Sequence, residues 1–322
     1  MRALLLTILL LFVAPATNAS SEPESLHAGI IRLTIPASQT VETLVWYPTQ
    51  DEEISWQAGP FQIQASRNAT IASGRFPVIL ISHGGGITGG SPFVLGELSA
   101  YLARQGYIVI APAHGKTRLL DRPLQVKLAF DTVASDPRFI SHIDNMRLGM
   151  LGFSLGGAVT LELAGAIANR AHVDSYCGAH PDDAMSCQDA PGGHEDPQKR
   201  NLMAERPSSP TGLILKGIVL LDPFAIPFQH EELTSVTMPV LIFRPEKSAL
   251  PGMANALGLA AALPQPPQYE TVPGSHFIFT DVCTDTLRSS APEVCQDPSG
   301  VNRAAIHVHI ETTIARFFHA HL

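Results

Sequence analysis

Short runs of apolar residues recur along the chain, and each one ends at a glycine, a proline or a polar residue. Five of them are FPVILIS (76–82), YIVIAPA (107–113), RLGMLGF (147–153), KGIVLLD (216–222) and MPVLIFR (238–244). A run that is apolar at nearly every position is typical of a strand covered on both faces, because a strand with one wet face alternates. The pattern therefore predicts a buried, mostly parallel sheet.

Helical patterns lie between these predicted strands. Further strands are predicted at 27–35, 42–49 and 269–272, and helices at 92–105, 123–134, 155–169, 253–263 and in the last twenty residues. Alternating strands and helices favour one α/β domain, with helices on both faces of the sheet, over residues 20–322. The Pro-, Gly- and Asp-rich stretch 170–211 is predicted to be an excursion from that domain.

The first nineteen residues have the layout of a secretory signal peptide. One arginine precedes an apolar stretch of 3–13 and small residues at 16–19, with cleavage expected after Ala19. The apolar stretch is shorter than the roughly 20 residues of a membrane-spanning helix, and no cysteine follows that could carry lipid. We expect an exported protein, periplasmic or secreted, without a stable membrane anchor.

Composition narrows the function classes. The 322 residues are 45% hydrophobic and 16% charged, which is enough for a large core. The net charge of -8, with 21 scattered Lys and Arg, offers no basic face. Nucleic acid is therefore not an expected partner.

The four cysteines fit an oxidising compartment. They allow three disulfide pairings, and we favour Cys177 with Cys187 and Cys283 with Cys295, because each pair closes a short polar loop. A zinc site made of Cys177, His180, Cys187 and His194 is the alternative, but its spacing lacks the paired C-x-x-C signature. No metal and no organic cofactor are predicted.

The sequence Gly152-Phe153-Ser154-Leu155-Gly156 matches the pattern G-x-S-x-G. Residues 148–168 carry a single charge and on hydropathy alone resemble a membrane helix, but the glycines favour a sharp turn between a strand and a helix. Such a turn lifts a serine hydroxyl clear of the sheet and places it at a helix N-terminus. Ser154 is therefore the predicted nucleophile.

A nucleophilic serine needs donors for the oxyanion of its tetrahedral intermediate. His83-Gly84-Gly85-Gly86 follows a predicted strand, and we assign the oxyanion hole to the backbone N–H groups of Gly85 and Leu155. A phosphate-binding loop is the alternative, but the G-K-[S/T] ending is missing.

The general base and its acid should follow Ser154 in the chain. His276, in VPGSHFIF after a predicted strand, is the predicted base, whereas His114 is expected to be structural. Asp222 and Glu246 each end a predicted strand, and either carboxylate could orient the imidazole. The residues alone leave that choice open.

Together these segments resemble the α/β-hydrolase superfamily. Within it they are similar to the platelet-activating-factor acetylhydrolases and to exported bacterial dienelactone-hydrolase-like proteins, in the blocks SHGGG, ELSAYLARQGYIVIAPAHG, GFSLGGA, GIVLLDPF and PGSHFIFTDVC. The resemblance implies that Asp222, rather than Glu246, is the acid. Two features differ from these families: the excursion is long, and the nucleophile is a serine rather than the cysteine of true dienelactone hydrolases, so lactone opening is not implied.

The predicted reaction is the hydrolysis of small carboxylic esters through an acyl-enzyme. An inactive exported binding protein on the same scaffold and a lipid or polyester hydrolase are the alternatives. The excursion is expected to lie over the site as a cap that limits acyl length.

Overall fold

The computed structural model describes residues 25–36, 40–85, 90–115, 117–187 and 212–322. The predicted signal peptide, Gly86 of the glycine-rich loop, and 188–211 of the excursion lie outside the described residues. Within the described ranges, no helix combines the length and the apolar character needed to cross a membrane.

Ten strands form one sheet in the order β10-β9-β8-β7-β5-β6-β2-β1-β4-β3. The strands are β1 His27–Ile35, β2 Val41–Thr49, β3 Ile54–Ala58, β4 Phe61–Arg67, β5 Phe76–Ser82, β6 Ile108–Pro112, β7 Ile143–Phe153, β8 Gly217–Leu221, β9 Val240–Lys247 and β10 Gln268–Ser275. The six strands from β10 to β6 in this order run parallel to one another, whereas β2 pairs antiparallel with both β6 and β1. The mostly parallel sheet that the apolar runs predict is confirmed.

Helices cover both faces of the sheet. They are α1 Gly96–Arg104, α2 Arg122–Ser135, α3 Leu155–Leu163, α4 Arg170–Ala179, α5 Ala184–Cys187, α6 Ala256–Ala262, α7 Asp285–Ser290 and α8 Arg303–His321. Buried side chains of α2, α3 and α6 join one core cluster, and those of α1 and α8 join a second.

The central strands supply side chains to both clusters by simple alternation. In β5, Val78 and Leu80 belong to the first cluster, while Ile79 and Ile81 belong to the second. All four are 0% exposed. Because successive side chains of a strand point to opposite faces, a strand buried on both faces must be apolar throughout.

The structure departs from the predicted elements in several places: strand β7 begins at Ile143 rather than at 147, and helix α7 was not predicted. The helix after Ser154 ends at Leu163 instead of running to 169, since Gly165 adopts a positive φ of 103° that breaks the helix. The hairpin β3–β4 was not predicted, although β4 alternates buried and exposed positions as a half-buried strand does.

The structure contains both disulfides in the pairing that the sequence favours, Cys177–Cys187 and Cys283–Cys295. A disulfide uses both sulfurs, so the zinc alternative, which needs Cys177 and Cys187 as thiolates, is excluded. Helix α4, the first part of the excursion, has no buried residue. It is therefore peripheral to the core.

Candidate active site

Strand β7 turns into helix α3 at Ser154, and the backbone there is strained. Ser154 has φ 54° and ψ -119°, a conformation that residues with a side chain rarely adopt. The turn is tight because helix α3 starts directly against the end of β5: a Cβ atom on Gly156 would lie 1.9 Å from the carbonyl oxygen of Ser82. A glycine at this position is required for the close approach.

The turn brings the hydroxyl of Ser154 to the imidazole of His276. Nε2 of His276 lies 3.0 Å from Oγ of Ser154, and Nδ1 lies 2.6 Å from Oδ2 of Asp222. A carboxylate only accepts hydrogen bonds, so Nδ1 carries the proton and Nε2 presents its lone pair to the serine hydroxyl. Three residues from the ends of β7 and β8 and from just beyond β10 thus form one hydrogen-bonded chain.

Of the two candidate acids, Asp222 is the one beside the imidazole. It follows β8, is 0% exposed, and has a positive φ of 40°. Glu246 lies within β9, with an exposed side chain. The sequence could not separate them because both come at the carboxyl edge of the sheet, and the sharp turn at Asp222 is a tertiary feature.

Aromatic rings hold the imidazole in place. The ring of Phe153 stacks on that of His276 at 5.0 Å between centroids, and the ring of Phe277 meets it edge-on at 5.1 Å. His276 begins a short 3₁₀ turn, and Nε2 of His307 in α8 lies 2.7 Å from the carbonyl oxygen of Ile278 in that turn. The side chain of His276 is therefore buried, whereas Ser154 is partly exposed.

The glycine-rich loop after β5 lies directly against the turn at Ser154. A Cβ atom on Gly84 would be 3.3 Å from Cβ of Ser154, and one on Gly85 would be 2.9 Å from a methyl group of Leu155. Leu155 is the first residue of α3, so its N–H belongs to the group that has no intrahelical partner. The two backbone segments assigned to the oxyanion hole are thus neighbours beside Ser154.

Buried polar side chains form hydrogen bonds that hold the glycine-rich loop in place. Nε2 of His83 accepts a hydrogen bond from the N–H of His114 at 3.1 Å, and Nδ1 lies 2.7 Å from the carbonyl oxygen of Gly84. The imidazole of His114 forms hydrogen bonds with the side chains of Ser82 and Gln125. The guanidinium of the buried Arg122 lies 3.4 Å from the carbonyl oxygens of His83 and Gly84. The structural role expected for His114 agrees with these contacts.

Burial keeps this histidine pair neutral. Desolvation lowers the pKa of His83 to about 4, and it lowers the pKa of His114 well below the usual value. The Arg122 cation acts in the same direction on both rings. Arg122 and Phe153 were not predicted as site residues, because the contacts of Arg122 with the glycine-rich loop and of Phe153 with His276 join segments distant in the chain.

Nothing in the described part of the chain groups three or more His, Cys, Asp or Glu side chains in a way that could hold a metal ion. The site consists of a hydroxyl, an imidazole, a carboxylate and backbone amides.

Comparison with known proteins identifies a solved structure with the same fold. The chain is similar to a ferulic acid esterase from Streptomyces cinnamoneus, with a TM-score of 0.60 and 18% sequence identity over 96% of this chain and 92% of that one. The chain has the α/β-hydrolase fold. No family model and no curated protein matches the sequence.

Proposed function

We propose that this protein is a serine hydrolase that cleaves carboxylic esters through an acyl-enzyme. Ser154 is the nucleophile, His276 the general base and acid, and Asp222 the carboxylate that orients the imidazole. The observation that carries the proposal is the hydrogen-bonded chain from Ser154 Oγ through both ring nitrogens of His276 to the fully buried Asp222.

The reaction proceeds in two symmetrical halves. Oγ of Ser154 attacks the ester carbonyl while Nε2 of His276 takes its proton, and the N–H groups of Gly85 and Leu155 hold the oxyanion. Collapse of this intermediate breaks the bond to the alcohol oxygen, which leaves with the proton from Nε2. Water then attacks the acyl-enzyme by the same route and releases the carboxylic acid and free Ser154.

Two independent likenesses support an ester as substrate. One solved structure with this fold is a ferulic acid esterase, and the sequence blocks resemble platelet-activating-factor acetylhydrolases, which act on short acyl groups. A small ester with a short acyl chain is our proposed substrate class. Hydroxycinnamoyl esters belong in the test because the structural neighbour is named for one.

The excursion is proposed to be a cap over this site. Its first helix, α4, follows Asn169, whose N–H donates to the carbonyl oxygen of Pro227 and whose side-chain amide bonds Glu232. Both partners lie on the segment that leads away from Asp222.

Two disulfides and the predicted signal peptide support an exported location.

A fluorophosphonate probe tests the nucleophile directly, because it labels only an activated serine. We expect the wild-type protein to be labelled and Ser154→Ala to be unlabelled. Ser275→Ala is the matched control and should be labelled, because the hydroxyl of Ser275 donates to a loop carbonyl oxygen instead. No labelling of the folded wild-type protein would favour an inactive binding protein instead.

A panel of p-nitrophenyl esters from acetate to octanoate, together with a feruloyl ester, defines the substrate class. We expect the highest kcat/KM for the shortest acyl groups. Replacing 170–211 with a short linker should then broaden the acyl-length preference, and an unchanged preference would exclude the cap.

A further inference from the structure

We propose that Ser248 is a positioning residue for this site: its hydroxyl holds Oδ2 of Asp222 toward the imidazole and shares the carboxylate charge that supports the ring. The inference rests on the proposed function, because it assigns a role within the same hydrogen-bonded chain. It concerns a residue at the end of β9, in a loop that neither the sequence motifs nor the resemblance singles out.

The geometry directs the hydroxyl proton of Ser248 to the carboxylate. Oγ of Ser248 lies 2.6 Å from Oδ2 of Asp222 and 3.3 Å from the carbonyl oxygen of Leu250. A hydroxyl has one proton, and the shorter contact to a charged acceptor takes it. The N–H of Leu250 donates to the same Oγ at 3.0 Å, which fixes the lone pairs and therefore the direction of the O–H bond.

The carboxylate of Asp222 is supported on one side only. Its Oδ2 receives both the hydroxyl of Ser248 and Nδ1 of His276, whereas its buried Oδ1 has no hydrogen-bond partner among the described residues. A buried carboxylate with few donors depends strongly on each of them. Ser248 and His276 therefore compete for the charge on one oxygen atom.

Of the titratable and charged groups on the neighbouring strands, Tyr269 responds to the charge of this carboxylate. Burial raises the pKa of Tyr269 in β10, the Arg244 cation in β9 lowers it, and the charge of Asp222 raises it. Among the described residues, neither Tyr269 nor Arg244 hydrogen-bonds to Asp222. The direct contacts that set its orientation are those of Ser248 and His276.

Removing the hydroxyl has two effects in the same chain. The carboxylate becomes free to rotate about its Cβ–Cγ bond, so the imidazole is aimed less well at Ser154. Without the hydroxyl, Nδ1–H of His276 is the one remaining donor to Oδ2 among the described residues, so the carboxylate stabilises the imidazolium more strongly. The ring then returns its proton to the leaving alkoxide more slowly. The hydroxyl of Ser248 contacts Asp222 and Leu250 rather than Ser154, so we expect KM not to change.

The test compares Ser248→Ala with Ser275→Ala and Ser248→Thr, using a short-chain p-nitrophenyl ester from pH 5 to 9. For Ser248→Ala we expect about a tenfold fall in kcat, an unchanged KM, and an acid limb of kcat/KM displaced upward by about half a pH unit. Ser248→Thr keeps the hydroxyl and should restore kcat. Ser275→Ala, next to His276 but bonded to the carbonyl oxygen of Gln296, should match the wild-type protein.

The outcome against the proposal is a Ser248→Ala enzyme whose kcat and acid limb equal those of Ser275→Ala. If Ser248→Ala does not fold, Ser248→Gly removes the same hydroxyl and carries the same expectation. A nuclear magnetic resonance titration of the His276 ring provides a readout that needs no turnover. It should move to higher pH in Ser248→Ala, even if the wild-type protein hydrolyses no ester, and so separates failure of this inference from failure of the proposed function.

Discussion

A methyl group added at Gly156 should disrupt the turn at Ser154. In the structure this glycine is the second residue of α3, where the helix touches the end of β5, and the added Cβ would lie 1.9 Å from the carbonyl oxygen of Ser82 and 2.9 Å from that of His83. Both atoms belong to the backbone. No side-chain rotation can therefore relieve the overlap.

Two opposing effects determine the size of the change. Alanine is favoured over glycine in a helix by up to about 1 kcal/mol. Against this, non-bonded contacts of Cβ essentially never fall below 3.0 Å, so helix and strand must separate by about 1 Å within a buried, close-packed region. Overpacking of this kind costs about 1–3 kcal/mol, and more where only backbone can move. We expect Gly156→Ala to lose about 3 kcal/mol of unfolding free energy.

Urea unfolding with the disulfides intact measures the change, and the rate of fluorophosphonate labelling reports the local geometry. Gly178→Ala is the matched control, because Gly178 also lies in a helix but a Cβ there would meet nothing within 4 Å. The control should equal the wild-type protein within about 0.5 kcal/mol or be slightly more stable. Gly156→Ala within 1 kcal/mol of the wild-type protein, with an unchanged labelling rate, would refute the close approach of α3 to β5.

Three further outcomes are expected. Asp222→Asn should lower kcat by about 10³- to 10⁴-fold, which is the scale of a lost triad carboxylate. Glu246→Gln changes an exposed side chain and should keep kcat within about twofold of the wild-type value. Equal losses of kcat in steady-state assays would remove the distinction between the two acids. Burial raises the pKa of Glu162 from 4.5 to about 8. Between these two pH values the carboxyl group is ionised in the unfolded chain but still protonated in the folded protein, so the free energy of unfolding falls as pH rises through that window. Glu162→Gln should remove this loss and be more stable than the wild-type protein by on the order of 2 kcal/mol at pH 8.5 but not at pH 5, measured by urea unfolding. Replacing Cys283 and Cys295 with serine should cost about 3 kcal/mol, since that disulfide closes a short loop just after the His276 turn; a stability equal to that of the wild-type protein would show that the loop is already constrained.

The sequence was informative wherever burial acts on neighbouring residues. The buried strands were predicted because each run is apolar at nearly every position, and the turn at Ser154 was predicted because Gly152 and Gly156 flank it. It was less informative for helix ends and for the β3–β4 hairpin. The end of α3 depends on the positive φ of Gly165, and the hairpin is short and near the sheet edge.

At the candidate site, too, local sequence identified some residues and the tertiary structure decided between others. The residues alone predicted Ser154 and His276 and left Asp222 and Glu246 open as the acid, because residue type and position at a strand end are local properties. The resemblance to known families favoured Asp222. Only the tertiary structure places Asp222 at 2.6 Å from the imidazole, leaves Glu246 exposed, and brings Ser248 to the same carboxylate oxygen. The physical reason is that a sheet aligns the ends of strands far apart in sequence, whereas the direction of each side chain there depends on backbone angles such as the positive φ of Asp222, which arise from packing across the whole fold.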